Sequence, residues 1–353
     1  MPRTARFGVE EEFVLLDAAT LVPVSAEQMH AAVLGELPSG GRLSAEFMTS
    51  QIEAATEPVP TLASAQEQLT RMRAVLARHA PAGTLVAATG APFALAGPGR
   101  ITSSPHYDDV ADLIGHLAAE HVVDGLHVHV EVADDEERVR ALRRLREWLP
   151  LLLALSVNSP FANGVAAGLA SWRSTLLRRL PVSWGPPAFA DADDYHRTVD
   201  RLLAIGALPA RSSVSWAVRL SDRYDTVETR VADAQLSVTD SLLLAALTRA
   251  LVLSDEVVKT PAAPHALDAS LWLASRHGMR ARLSTQEGGS ERAWPLVERM
   301  LRGIRPVLDE LGDAEFVDDQ LARMRTEGTG AERQLRAHGT RGVEGLTDVV
   351  SVH

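Results

Sequence analysis

The chain contains no cysteine. Disulfides, thiolate nucleophiles and cysteine-ligated zinc sites are therefore excluded together. Lysine is nearly absent: Lys259 is the only one, and the other basic residues are all arginine. A Walker-type phosphate loop requires a lysine after its glycines, so that route to ATP is closed. Any nucleotide phosphate would have to be held by arginines and metal ions. Aromatic residues make up only 5% of the chain. Positive charge is also in deficit, with a net charge of -11, which argues against a nucleic-acid partner. It does not exclude an anionic substrate, because metals and local arginines can reverse the sign inside a pocket. No apolar run of about 18 residues occurs, so no membrane span is expected. The segment MPRTARFGVEEEF lacks the apolar stretch of a secretory signal. A cytoplasmic location is the expectation.

What is present begins at Gly8-Val9-Glu10-Glu11-Glu12-Phe13. Residues 4–17 read as a strand, and three consecutive carboxylates sit in this otherwise apolar run. Side chains alternate across a strand, so Glu10 and Glu12 share one face and Glu11 takes the other. Two like charges side by side on a sheet repel, and more strongly if partly buried. A divalent cation is the simplest compensation.

Other segments can complete such a site. Residues 42–57 carry Glu46 and Glu53, seven positions apart. They reach one face only if a bulge or bend separates them, or if they lie near two turns of helix; the spacing leaves both readings open. Gly125-Leu126-His127-Val128-His129-Val130-Glu131-Val132 alternates strictly. His127, His129 and Glu131 share one face and the valines the other, which suits metal or phosphate contact. Strands over 212–220 and 226–232 with a hairpin at 222–225 are expected, the second placing Glu228 and Arg230 on a common face.

Apolar stripes predict helices over 61–80, 107–121, 136–157, 170–181, 193–205, 239–258, 267–283, 291–311 and 316–326, and a last helix follows the glycine turn at 328–330. A turn is expected at Leu37–Gly41. No repeat or low-complexity linker interrupts the 353 residues. The polar-faced strands lie on both sides of the 185–192 loop, so 1–353 is read as a single catalytic domain with a mostly helical part at 239–353.

Pooled, Glu10, Glu12, Glu46, Glu53, His129 and Glu228 form a carboxylate-rich set with one imidazole. That donor chemistry suits magnesium or manganese better than zinc. With Arg173 and Arg230 nearby in role, it suits phosphoryl transfer from a nucleotide.

The segments GVEEEF (8–13), GLHVHVEV (125–132), NSPFANG (158–164), GLASWRS (168–174), ETRVADAQLSVTD (228–240) and GTGAERQ (328–334) resemble, in order, the carboxylate-amine ligase family, the type 2 glutamate-cysteine ligases. The resemblance implies an α+β, glutamine synthetase-like core. In it a curved, mainly antiparallel β-sheet holds MgATP and an amino acid on its concave face, backed and flanked by helices. It implies an ATP-dependent carbon-nitrogen ligase that forms an amide, typically γ-glutamyl, through an acyl phosphate. Glu10, Glu12, Glu46, Glu53, His129 and Glu228 would then be metal ligands. Arg230 would contact phosphate, and Arg173 phosphate or the substrate carboxylate. His127, Asn158 and Trp172 would contact substrate or nucleotide.

Some positions depart from the pattern. Ala162 and Asn163 stand where tryptophan and glutamine are usual, Trp172 where tyrosine is, Thr229 where isoleucine or phenylalanine is, and Ala232 where a cysteine is frequent. Metal and phosphate positions are kept while substrate-side positions differ. Glutamate plus cysteine is the leading substrate pair, with a different amine or acid as the alternative. A kinase of a carboxylate or guanidino group, and a silent nucleotide-binding relative, are the remaining rivals. Partners are expected to be small amino acids and amines; the sequence does not fix the oligomeric state, and a homodimer is only a guess.

Overall fold

The computed structural model describes residues 5–33, 41–256, 258, 260–285 and 288–353. Most of the Leu37–Gly41 turn, like Lys259, lies outside the described residues. The main sheet has seven strands: β1 (Phe7–Asp17), β2 (Gly41–Ala45), β3 (Gln51–Thr56), β4 (Thr84–Ala87), β5 (Gly125–Glu131), β6 (Val218–Leu220) and β7 (Thr226–Asp233). Their order is β6-β7-β5-β1-β3-β2, with β4 pairing the far end of β1. Every pair is antiparallel.

Helices α1 (Glu27–Val33), α2 (Leu62–His79), α3 (Pro105–Ile114), α4 (Asp135–Ser156), α5 (Trp172–Leu177) and α6 (Ala192–Ala204) come before the last stretch. That stretch adds α7 (Val238–Leu253), α8 (Pro264–His277), α9 (Ala293–Leu311), α10 (Ala314–Glu327) and α11 (Gly330–Val350). Helix α2 packs against β3 and α7, α7 against β5, and α4 against β6 and β7. These helices cover one face of the sheet. Leu62, Ala65, Leu69, Met72 and Leu76 are the buried stripe of α2, the i, i+3, i+4 spacing that points one helix face at a sheet. One hydrophobic cluster runs from Phe7 to Val352. No helix among the described residues is long and apolar enough to cross a membrane.

The backing face settles Glu11. Its carboxylate is 1% exposed. It accepts Arg73 Nε at 2.9 Å and Nη2 at 2.7 Å, and the Ser241 hydroxyl as well. The middle carboxylate of the triplet is therefore held between α2 and α7 by a fork-shaped partner, away from its two neighbours.

Several elements are shorter than the apolar pattern predicts. The 170–181 helix is only Trp172–Leu177, capped by Ser171. The 212–220 strand breaks into Ser215–Trp216, which pairs in parallel with Ser183–Trp184, and β6. The 267–283 helix ends at His277 because Gly278 has φ +53°. A glycine in that region stops a helix without the Cβ penalty. The chain then forms a small ribbon, Arg282–Ser284 with Ser290–Arg292.

Candidate active site

The register of the sheet assembles the open face. Glu12 lies opposite Glu53, and Glu10 lies between Ala55 and His127. His129 lies between Gly8 and Glu228, and Glu228 lies opposite Arg219. Directly opposed residues point the same way, so chemistry from five strands converges. Glu46 follows β2 in the turn that leads to β3, and Ser44 faces Glu53. The two carboxylates therefore meet through a hairpin bend, not a helix.

Two triads result. Ligand atoms of Glu10, His129 and Glu228 all lie within 4.8 Å of one another, as do those of Glu12, Glu46 and Glu53. His127 stands between them, with Nδ1 3.3 Å from Glu10 and Nε2 3.5 Å from Glu12. The imidazole of His129 is oriented by Thr226, whose hydroxyl is 3.0 Å from Nδ1. Its Nε2 is buried without a hydrogen-bond partner, 3.5 Å from Glu10 and 3.9 Å from Glu228. An orphaned buried imidazole nitrogen facing two carboxylates, fixed through its other nitrogen, is the arrangement a metal-ligating histidine adopts. The residues fit a divalent cation in each triad.

The charges are unevenly compensated. Burial pushes the Glu228 carboxyl up, but Arg230 and Arg219 more than reverse this and hold it well below its ordinary value. Arg219 binds it with Nε at 2.7 Å and Nη2 at 3.1 Å, and Arg230 reaches the same carboxylate. Burial also raises Glu10, but the neighbouring imidazoles of His127 and His129 outweigh it and leave Glu10 well below the usual range. The second triad lacks such help. Burial, then the charges of Glu12 and Glu53, raise Glu46 well above its ordinary value. Burial, then Glu10 and Glu12, push Glu53 up to about 7 despite Arg42.

A bulge falls between Thr229 and Ala232, where β7 shifts register against β5. It lies where the guanidinium of Arg230 enters the site, as bulges beside active sites commonly do. Arg173, near the start of α5, reaches under this bulge. Its Nη2 donates to Arg230 O at 3.2 Å, and its Nη1 is 3.9 Å from Asp233. A Cβ on Gly125 would overlap Arg173 Nη2, so only glycine lets this arginine approach. Gly125 N also donates to Glu12 at 2.5 Å.

Two cavities flank the triads. One of about 520 Å³ includes Gly8, Glu10, Thr56, His129, Arg223 and Tyr224 in its lining. The other, of about 110 Å³, includes Glu12, Glu46, His127, Arg173, Trp184 and Arg230.

Other expected site residues sit differently. Asn158 is fully buried. Its amide donates to Ala88 O at 3.1 Å and Ala234 O at 2.6 Å and accepts Gln334 Nε2 at 2.7 Å. It is a strut joining β4, β7 and α11, with no group left for a ligand. Trp172 is half-buried at the first turn of α5 and does not line either cavity. Glu131, on the face of His127 and His129 by alternation, turns to the surface and pairs with Arg6 at 3.1 Å.

Residues that sequence reasoning missed are second partners: Arg219, Thr226 and above all Asp233. Asp233 accepts Asn158 N and Ser159 Oγ at 2.7 Å, and Ser171 Oγ at 2.8 Å. It ties the turn after α4 to the start of α5 and so sets Arg173. A carboxylate ending an apolar strand was its only signal.

The Glutamate-cysteine ligase family 2 (GCS2) profile matches residues 6–351. A Saccharopolyspora erythraea protein provisionally named glutamate-cysteine ligase 2-1 is 39% identical over 334 residues, covering 93% of this chain and 88% of its own. A Frankia alni protein provisionally named glutamate-cysteine ligase 2-2 is 37% identical, covering 97% and 95%. Among solved structures, the glutamate-cysteine ligase of Francisella tularensis in complex with AMP has a TM-score of 0.72 at 13% identity, over 98% of this chain and 87% of that one. A bifunctional glutathione synthetase from Pasteurella multocida gives 0.70 at 16% identity, over 98% and 51%. At such identities the likeness is one of fold, and it matches the expected glutamine synthetase-like α+β architecture. This chain belongs to glutamate-cysteine ligase family 2.

Proposed function

We propose that the open face of the sheet is the active site of an ATP-dependent carbon-nitrogen ligase, with residues 1–353 acting as one catalytic unit. Its leading acid substrate is glutamate. The observation that carries this reading is the pair of triads on one face, with His129 Nε2 buried and unpartnered between Glu10 and Glu228. Glu10, His129 and Glu228 would hold one magnesium or manganese ion, and Glu12, Glu46 and Glu53 another. Bound there, the ions supply charge neutralisation and orientation for a triphosphate.

The larger cavity borders Glu10 and His129 and has room for a nucleoside, with Tyr224 on its wall. The smaller borders Arg173 and Arg230 and takes the acid. A substrate carboxylate oxygen attacks the γ-phosphorus of ATP. The bond from phosphorus to the bridging oxygen breaks, ADP leaves with the electron pair, and an acyl phosphate forms. Arg230 places its guanidinium where the transferring phosphoryl gathers charge, and Glu228 keeps it there. Arg173 holds a carboxylate or phosphate at the inner end of the cavity. An amine then displaces phosphate to give the amide.

The experiment is trapping with hydroxylamine. Wild-type protein with MgATP and glutamate is expected to yield ADP and a glutamyl hydroxamate, and Glu12→Gln and Glu228→Gln to yield neither. Undiminished hydroxamate in both variants would remove the site assignment. ADP without acyl transfer to hydroxylamine or to any amine would remove the ligase.

A further inference from the structure

A second channel leaves the acid cavity. It has a volume of about 160 Å³ and runs outward between α3 and the 208–215 segment. Glu46, Phe47, His121, Leu180, Ser215 and Arg230 line both spaces, so the two adjoin. An amine held here would lie beside the acid cavity.

The channel walls are mainly apolar, with Ser212 and Ser213 among them. Tyr107, Val110, Leu113 and Ile114 form one side, and Leu208, Pro209 and Val214 the other. Its two arginines already face anions: both bind Glu228, and Arg230 also serves the transferring phosphoryl. Arg219 Nη1 also donates to Ser212 O at 2.6 Å and Val214 O at 2.8 Å. His106 is exposed, and the described lining contains no further arginine or lysine. Arg173 lies at the inner end, on the acid side.

An α-carboxylate in this channel would lose water against hydrocarbon, lie near Glu46, and compete with Glu228 and the phosphoryl group for the two arginines. Stranding a charge in that way is strongly unfavourable. The inner end offers the opposite chemistry. Glu46 and the Ser215 hydroxyl, both in the lining, are acceptors suited to an N–H group.

We propose that the acceptor is a primary amine on an apolar body that carries no carboxylate, an arylalkyl- or alkylamine and not an amino acid such as cysteine. This rests on the ligase reading above. The neutral amine donates its lone pair to the acyl carbon. The carbon-nitrogen bond forms, the bond from acyl carbon to the phosphate oxygen breaks, and phosphate leaves with that electron pair. The surplus proton on nitrogen passes to the departing phosphate. No oxidant or reductant is needed.

The test uses matched pairs with and without the carboxylate: phenethylamine against phenylalanine, and cysteamine against cysteine. The readout is phosphate release with MgATP and glutamate, with product masses. The decarboxylated member of each pair is expected to have a kcat/KM at least tenfold higher. Leu113→Arg places a cation on the exposed rim. It should move the phenethylamine-to-phenylalanine ratio at least fivefold toward phenylalanine. Equal or better use of phenylalanine or cysteine by the wild type would overturn the proposal. So would hydroxamate formation with no turnover of either decarboxylated amine. In those results the ligase reading survives. No hydroxamate from glutamate would overturn both.

Discussion

Glu53→Gln tests the electrostatics of the second triad quantitatively. Glu53 faces Glu12 across the sheet and is only partly offset by Arg42 at 2.9 Å and Ser44 at 3.1 Å. Burial and the neighbouring carboxylates push it from 4.5 up to about 7. Because the folded value is raised, the native carboxyl holds its proton more tightly than the unfolded chain does. Its penalty is absent below about pH 4.5, grows as pH rises through the interval, and is complete above about pH 7. Each tenfold gain in proton affinity on folding corresponds to about 1.4 kcal/mol, so the full cost is about 3 kcal/mol, of which about 2 develops between pH 5 and pH 8. Glu46 adds a cost of the same sign.

Glutamine keeps the shape and removes the charge. Urea unfolding in EDTA, followed by circular dichroism, should therefore find Glu53→Gln about 2 kcal/mol more stabilised over wild type at pH 8 than at pH 5. Added magnesium should reverse this. Wild type gains stability by mass action, and the variant, lacking one ligand, gains less. A stability difference that is flat with pH, or equal stabilisation of both proteins by magnesium, would refute the reasoning.

The remaining predictions concern single contacts. Thr226→Val frees the ring of His129; the magnesium concentration for half-maximal activity should rise about 10- to 100-fold, the usual effect of losing such an orienting partner, with little change in thermal midpoint. Gly125→Ala drives a methyl into the Arg173 guanidinium; activity should fall about 100-fold, as expected for a misplaced catalytic group, and intact magnesium-dependent stabilisation would separate this from unfolding. Arg73→Ala strands the buried Glu11 carboxylate and should destabilise by about 3–5 kcal/mol in chemical denaturation. Pairing Arg73→Met with Glu11→Leu should recover much of that loss, and a double variant as unstable as the single would contradict a charge-stranding origin.

Legibility in the sequence follows how local the determining physics is. Glu10 and Glu12 could be separated from Glu11 by strand alternation alone, and the structure then gives the three carboxylates two unrelated fates, a metal-fitting face and an arginine behind it. His127 and His129 could be placed on one face for the same reason, but not distinguished. That needs the position of Thr226, which arrives from a strand nearly a hundred residues later. Glu46 and Glu53 were ambiguous because a hairpin bend and a helix both span seven residues; only pairing with β1 decides. The segment at Asn158 misled more deeply. Its resemblance to family motifs suggested substrate contact, yet Asn158, Asp233, Gly330 and Gln334 form a buried scaffold in which a Cβ on Gly330 would collide with Asn158 Oδ1. Where several buried segments meet without spare room, steric fit and hydrogen bonding restrict the residue types at the junction just as a ligand contact would. Whether a residue binds a ligand or braces one that does depends on which of its polar atoms remain unpaired, and for Asn158 none do.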